Sequence, residues 1–294
     1  MAAGSGSRLW PLTQAVSKQL MPVFDKPMIY YPLALLMEAG LRDIAIVVAP
    51  HDLSAFKKLL GDGGQWGISL TYIIQRTPDG IGKAPELARD FLDGSPLVLA
   101  LGDNLFHSEC IAQKLRQGMQ SGNGATIFSV PVDDPRHFGV VTFDRNDKVS
   151  EIVEKPDTPQ SDQAVTGLYI FDERATGWGE WLQPSVRGEV EITDLLGLYL
   201  KNDALAAMKL GPDTAWLDTG TQHALLSAAK LVEAYQSKYC DVMGSPDVVA
   251  FKNGWIDVAR YLRVASQHQK TNYGAALGRV ARTYNASMPA AARM

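Results

Sequence analysis

Apolar and polar positions along this chain switch repeatedly between a helical period and continuous apolar runs. Residues 28–39 carry apolar side chains at helical spacing, with Pro32 in the first turn and Gly40 placed as a cap. Residues 44–49 form an unbroken β-branched run, the pattern of a strand buried on both faces. A short helix is predicted over residues 52–60, stopped by Gly61-Asp62-Gly63-Gly64, then a strand over 69–74 and a turn over 75–80. Residues 83–92 predict a helix, and 97–101 an apolar strand that runs straight into Gly102-Asp103-Asn104. Residues 109–120 predict a helix and 126–132 a strand.

This alternation argues for an α/β fold: a doubly wound, mostly parallel mixed sheet with helices on both faces. Ligands in such sheets bind beyond the carboxyl ends of the strands, and Asp103 sits at such an end. The pattern then changes. Residues 138–144 and 149–153 predict a hairpin, and 164–171 another strand. A helix over 192–200 follows the segment Arg187-Gly188-Glu189-Val190-Glu191. Short strands at 208–210 and 215–217 precede Asp218, and a helix is predicted over 221–237. Residues 245–284 read as several short helices, and 285–294 as a frayed tail. There is no internal repeat or low-complexity linker, so the expectation is a main unit over 1–240 with a helical C-terminal subregion and tail over 241–294.

Composition narrows the function classes. The chain has 294 residues, of which 46% are hydrophobic and 20% charged, enough to bury a large core without staples. A net charge of −4 gives no basic footprint for nucleic acid, although a local basic pocket stays open to a nucleotide. Cys110 and Cys240 lie far apart without a metal-ligand pattern and read as reduced thiols of a cytoplasmic protein. No apolar run is long enough to predict a transmembrane helix, and no secretory signal pattern opens the chain.

The candidate chemistry starts at the N-terminus. Gly4-Ser5-Gly6-Ser7-Arg8 is a glycine-rich loop ending in a cation, followed by Lys18 and Gln19. Such a loop can bring backbone N–H groups to an anion, and the two cations suit phosphate oxygens. The plainer alternative is a flexible chain end. Asp103 and Asp218 each end a short apolar run. Two carboxylates plus phosphate oxygens are a usual Mg²⁺ arrangement, while singly each acid reads equally well as a helix or turn cap. Glu154-Lys155-Pro156 follows a strand, where the lysine could meet a phosphate and the glutamate sugar hydroxyls, or the two could form a solvated pair. Arg187 and Glu189 carry the same two readings. His51, His107, His137, His223 and His268 lack metal-ligand spacing or a nucleophile partner.

A longer series of segments resembles the sugar-1-phosphate nucleotidyltransferases, and more narrowly their thymidylyltransferase branch. The series opens with Gly4-Ser5-Gly6-Ser7-Arg8-Leu9-Trp10-Pro11-Leu12-Thr13, then Ser17-Lys18-Gln19-Leu20-Met21-Pro22 and Asp25-Lys26-Pro27-Met28. It continues with Gly61-Asp62-Gly63-Gly64-Gln65-Trp66-Gly67, Pro78-Asp79-Gly80, Gly102-Asp103-Asn104, Phe138-Gly139-Val140-Val141 and Glu154-Lys155-Pro156. Val165-Thr166-Gly167-Leu168-Tyr169, Arg187 to Asp194, Ala215-Trp216-Leu217-Asp218-Thr219-Gly220 and Asn272-Tyr273-Gly274 complete it, so it spans about residues 1–276.

The resemblance implies a Rossmann-like nucleotidyltransferase fold, with the catalytic domain over 1–240. It implies attack of glucose 1-phosphate on the α-phosphorus of dTTP, giving dTDP-glucose, on the way to dTDP-rhamnose, and pyrophosphate. By the family pattern Arg8 and Lys18 bind and polarise the triphosphate beside the N–H groups of Gly4, Ser5, Gly6 and Ser7. Asp103 and Asp218 hold Mg²⁺. Lys155 meets the sugar phosphate and Glu154 the sugar hydroxyls, with Tyr169 and Arg187 on the same side. Gln75 and Gly80, in the segment with Pro78 and Asp79, read the thymine, with Gln19 nearby. Phe138, Gly139 and Val165 belong to the same binding set, and Trp216 shapes the pocket near Asp218. No covalent nucleophile is needed, because the attacking phosphate oxygen is already anionic. The resemblance further implies a homotetramer and, around 245–276, an interface and a regulatory nucleotide site.

The departures from the family pattern set further expectations. Family members open with a strand directly before the glycine loop, and Met1 stands at that strand's last position. The expectation is a longer native chain or, as the alternative, an inactive nucleotide-sugar-binding paralogue or regulatory subunit. Ala3 replaces a glycine, Ile81-Gly82-Lys83-Ala84-Pro85 replaces a neutral segment, and Phe138 replaces a tyrosine. Lys83 is expected to place a cation beside the nucleotide pocket, which opens the choice of nucleotide and sugar.

Overall fold

The computed structural model describes residues 1–4, 6–108, 110–239 and 241–287. Along the chain the elements are β1 (Pro22–Val23), β2 (Lys26–Pro27), α1 (Tyr30–Glu38), β3 (Asp43–Val48), α2 (Leu53–Leu60) and β4 (Ser69–Ile74). Then come α3 (Ala84–Leu87), α4 (Arg89–Leu92), β5 (Leu97–Ala100), β6 (Asn104–His107), α5 (Ile111–Gln120) and β7 (Ala125–Pro131). The hairpin β8 (Gly139–Phe143) and β9 (Val149–Glu154) precedes β10 (Gln163–Phe171), α6 (Arg174–Trp178) and α7 (Ile192–Lys201). The described residues end with β11 (Leu205–Lys209), β12 (Ala215–Asp218), α8 (Gln222–Tyr239), α9 (Pro246–Lys252), α10 (Val258–Gln267) and α11 (Asn272–Ser287).

The fold is α/β with a mixed sheet and C-terminal helices, as the apolar pattern expects. Its strand β10 explains the packing. Leu168 and Ile170 point into one core, with α1, α5 and α9, while Tyr169 and Phe171 point into the other, with α7. A strand buried on both faces favours a near-continuous apolar run, which is how residues 164–171 read, with buried Thr166 donating its hydroxyl to the Phe128 carbonyl at 3.0 Å. β10 runs antiparallel to both β5 and β7, so the parallel pairs between strands are β3 with β4 and β7 with β11, fewer than the sequence pattern suggests.

Met1 and Ala2 lie between β3 and β5. Ala2 bridges Val48 in parallel, and its N–H donates to the Val47 carbonyl at 2.8 Å. The Met1 amine donates to the Ala100 carbonyl and the Gly102 N–H to the Met1 carbonyl, each at 2.8 Å. These bonds set the glycine loop at the carboxyl ends of β3 and β5, where the cleft opens.

Several elements differ from the sequence reading: β1, β2 and α6 have no predicted counterpart, and β11 starts ahead of the strand expected at 208–210. The helix expected over 83–92 is two short helices, because Ala88 leaves helical geometry at ψ 7°. Asn104–His107, for which the sequence predicts no element, is strand β6, paired antiparallel with β12. Among the described residues no helix is long and apolar enough to cross a membrane.

Candidate active site

The glycine loop is folded back on itself. Gly6 adopts φ +60°, and a Cβ there would lie 2.7 Å from Thr13 Cγ2, so a side chain is excluded on both counts. Thr13 Oγ1 donates to the Gly6 carbonyl at 3.2 Å, and Gln222 Nε2 ties the Arg8 carbonyl to α8 at 3.2 Å. Arg8 is left exposed and reaches to 4.0 Å from Asp218 Oδ2. Lys18 is buried, and its Nζ sits 2.5 Å from Asp103 Oδ2 and 3.9 Å from Asp218 Oδ1. One ammonium therefore lies within reach of both carboxylates.

The pairing of β6 with β12 brings the two acids together. Asp218 stands opposite Asn104, the residue after Asp103. Buried Thr219 fastens the joint: its N–H and its Oγ1 both donate to the Asp103 carbonyl, at 3.0 and 2.6 Å. The environment separates the two carboxyls. Burial opposes ionisation of Asp103, but the Lys18 charge and hydrogen bonds from Lys18 and Asn104 outweigh it and hold the carboxyl below its ordinary range. Burial and then the neighbouring Asp103 charge push Asp218 up.

The facing wall is built by the β8–β9 hairpin and the loop before α7. Gly139 pairs with Glu154, and the Lys155 N–H donates to the Phe138 carbonyl at 2.9 Å. Lys155 has φ +43°, a strained backbone for a side chain of its size. Glu154 gathers three groups: Lys155 at 3.2 Å, Arg187 at 3.5 Å and the Thr193 hydroxyl at 3.4 Å. Arg187 also pairs with Glu191 at 2.7 Å, and Glu191 accepts from Ser185 at 2.8 Å. Below, the rings of Phe138 and Trp216 lie 5.0 Å apart. The Val190 N–H donates to the Asp79 carbonyl at 2.7 Å, which closes the loop over the segment that holds Gln75, Pro78 and Gly80.

These elements enclose a cleft of about 480 Å³. Gly4, Gly6, Ser7, Arg8, Lys18 and Gln19 line one side of it. Gln75, Pro78 and Gly80 line a second, and Asp103, Lys155 and Arg187 a third. Asp218 and Glu154 join through the ion pairs given above. Phe138, Gly139, Val165 and Trp216 are not among the residues that line it; they pack beside it, Phe138 against Trp216, with Val165 Cβ 3.7 Å from where a Gly139 Cβ would stand. Tyr169 is packed in the core, where burial and the charges of Glu154, Asp103 and Asp218 raise its phenol. Asp79 turns its carboxylate to the Thr77 hydroxyl at 2.6 Å. Ser5 lies outside the described residues.

Lys83 corrects an expectation. Its ammonium pairs with Glu86 at 2.7 Å and donates to the Gly179 carbonyl at 3.1 Å, so it leans against α3 and the end of α6 and does not line the cleft. Sequence reading also passed over Asn104, Thr219 and Glu191. Each is a buried polar residue within a quoted motif, but its partners are assigned only by strand pairing and loop closure.

Asp103 and Asp218 are hard oxygen donors that already share one cation, which fits Mg²⁺, an ion that keeps waters and takes its remaining oxygens from phosphates. Among the described residues no group of three or more His, Cys, Asp or Glu is arranged to hold a metal. A protein-only cage is therefore not the reading; the two carboxylates would share the ion with a phosphorylated ligand.

The family profile described as nucleotidyl transferase matches residues 1–235. A glucose-1-phosphate thymidylyltransferase of Xanthomonas campestris is 47% identical over 274 residues, covering 93% of each chain. One from Neisseria meningitidis is 45% identical, covering 93% of this chain and 95% of the relative. A crystal structure from Bacillus anthracis, described as a glucose-1-phosphate thymidylyltransferase in complex with sucrose, superposes with TM-score 0.73 at 36% identity, over 78% of this chain and 92% of that one. A UDP-glucose pyrophosphorylase bound to UDP-glucose shares the fold at TM-score 0.70 and 23% identity, over 81% and 97% of the two chains. With the profile covering most of its length and these relatives nearly all of it, the chain belongs to the nucleotidyl transferase family.

Proposed function

We propose that this protein transfers a thymidylyl group from dTTP to glucose 1-phosphate, giving dTDP-glucose and pyrophosphate, with Mg²⁺ as cofactor. The observation that carries the reading is the single ammonium of Lys18 within reach of both Asp103 and Asp218, in a cleft that is also lined by Arg8, Lys155 and Arg187. The relatives named for this activity, similar over 93% of the chain, support the choice of substrates.

Each wall of the cleft has a part. Arg8, Lys18 and the N–H groups of the glycine loop hold the triphosphate, Arg8 as a fork and Lys18 as a point charge. Gln75 and the backbone at Gly80 read the base; Gln75 Nε2 already lies 3.4 Å from the Gly80 carbonyl. Lys155 and Arg187 bind the phosphate of the sugar, and Glu154 accepts from its hydroxyls. Asp103 and Asp218 hold Mg²⁺, which when bound neutralises charge on the reacting phosphate and the leaving group. The chain's contribution is alignment of the attacking phosphate oxygen with the α-phosphorus, so the rate comes from positioning and fixed charge. The reading extends to a cytoplasmic homotetramer, which sedimentation velocity checks.

Incubation with dTTP, glucose 1-phosphate and Mg²⁺ should release pyrophosphate and form dTDP-glucose. Release no faster than from an Asp103→Asn variant would overturn the proposal. A substrate panel with UTP and other sugar 1-phosphates tests the specificity.

A further inference from the structure

Asn104 uses both ends of its amide. It opens β6 and is buried, 4% exposed. Its Oδ1 accepts from Trp216 Nε1 at 2.6 Å and from the Gly167 N–H at 3.1 Å. Its Nδ2 donates to Asp103 Oδ1 at 2.9 Å. Two N–H donors converge on the amide oxygen, so the amide has one satisfied orientation; turned over, its NH₂ would face two donors. The nitrogen is thereby fixed toward Asp103. That bond occupies Asp103 Oδ1 and leaves Oδ2 facing Lys18.

The surroundings are built to this side chain. Gly167 lies where the register of β10 against β7 shifts, between Val165 and Tyr169. A Cβ at Gly167 would stand 2.6 Å from Asn104 Cγ, so only glycine leaves the amide its place. Trp216 is the other anchor, and its ring packs against Phe138 at 5.0 Å. One side chain therefore links the Asp103 carboxylate to the Phe138–Trp216 pair.

We infer that Asn104 is a positioning residue that sets the rotamer of the Asp103 carboxylate for the divalent cation and ties it to the Trp216 indole. The inference rests on the proposed nucleotidyl transfer. Residues that hold a metal ligand in place typically contribute about 10- to 100-fold in metal affinity. Asn104 does so without touching the ion.

The test is Mn²⁺ binding to the full chain, followed by electron paramagnetic resonance with and without dTTP, well below the melting temperature. Asn104→Ala should weaken Mn²⁺ about 10-fold or more and raise the Mg²⁺ concentration needed for half-maximal pyrophosphate release. A core-filling residue would change melting alone. Trp216→Phe removes one donor to Oδ1 and keeps the ring, so it should weaken Mn²⁺ by a smaller factor, and it decides the matter if Asn104→Ala does not fold. Mn²⁺ affinity within about twofold of the unaltered protein in a folded Asn104→Ala, or in Trp216→Phe where that variant decides, overturns the assignment; the tenfold threshold is set by the range for such residues. An unaltered protein that neither binds Mn²⁺ nor releases pyrophosphate overturns the nucleotidyl-transfer reading as well, which separates the two failures.

Discussion

Two hollows flank Met1 and Ala2, and they are opposites. The cleft, about 480 Å³, is walled by charged groups that are mostly paired with one another: Lys18 with Asp103, Arg187 with Glu154 and Glu191, Lys155 with Glu154. The second hollow, about 570 Å³, runs between β3 and β5 and is walled by Leu33, Ile44, Ile46, Leu92 and Leu99. Among the described residues β3 and β5 do not pair with each other; Met1 and Ala2 bridge them at one end. The cleft concentrates electrostatic work in a few side chains whose own desolvation is unfavourable. The groove is surrounded by ordinary apolar packing, which stabilises in proportion to area and is indifferent to the reaction. Substitutions in the cleft should therefore alter rate and leave stability, and those beside the groove should do the reverse.

The largest effect is expected at Asp218. Its ionised form is disfavoured by burial and by Asp103, so its pKa in the folded protein is raised above the unfolded value. A carboxylate with a raised pKa reduces stability at neutral pH, because the folded state resists its charge. Asp218→Asn should therefore melt at the same temperature as the unaltered protein or higher. It should also lose about 10³-fold in pyrophosphate release, from several kcal/mol of charge stabilisation. A lower melting temperature with activity retained would reverse the comparison. Leu99 gives the opposite case. It is 7% exposed, packs with Tyr169 and Ile127 in one core, and borders the groove. Leu99→Ala should destabilise by about 2–4 kcal/mol in urea titration. The rate of the folded fraction should stay within about twofold, a change of under 0.5 kcal/mol in barrier. A large drop in rate would mean that groove and cleft are mechanically one site.

The same contrast decides how much was legible in the sequence. β3, β5, β7 and β10 read directly from their apolar runs, since a strand largely buried on both faces leaves one composition, while β4 reads from its β-branched and aromatic residues with one face exposed. The cations and acids of the cleft were legible as types, and the roles proposed for them came from the family motifs. What did not read was their joinery. β6 is only four residues and starts on a polar Asn104, so no period marks it. Its pairing with β12 is a relation between residues 114 positions apart at Asn104 and Asp218, and only the fold provides it. Lys83 failed for a related reason. A charged residue next to a motif was assigned to the motif's ligand, while its nearest carboxylate, Glu86, lay one helical turn away.

A smaller effect is expected at the aromatic pair beside the cleft. Phe138 is half-buried against Trp216, and its carbonyl holds the N–H of Lys155. Phe138→Tyr keeps the ring and adds one hydroxyl on the sugar side. A net hydrogen bond of about 0.5–1.5 kcal/mol corresponds to a fall in KM for glucose 1-phosphate of about 2- to 10-fold, with kcat unchanged. A fall in kcat alone would place the ring nearer the reacting phosphate than to the sugar hydroxyls.

The smallest effect is expected at Lys83. The sequence sets this cation next to Pro78-Asp79-Gly80, and its structural partners are Glu86 and the Gly179 carbonyl. The pair is partly exposed, at 24% and 33% for the two side chains, so it contributes less than about 1 kcal/mol to stability. Lys83→Gln keeps a long polar side chain and removes the charge. KM for dTTP should stay within about twofold, and the ratio of dTTP to UTP use should not move, because a paired cation outside the cleft has no differential contact with either base. The salt dependence of KM sharpens the test. If Lys83 left Glu86 to meet the triphosphate, its loss would flatten the rise of KM with ionic strength. If it stays paired, the two curves run parallel, and the altered segment of residues 81–85 acts through its backbone, where the Gly82 N–H donates to the Val190 carbonyl at 2.9 Å.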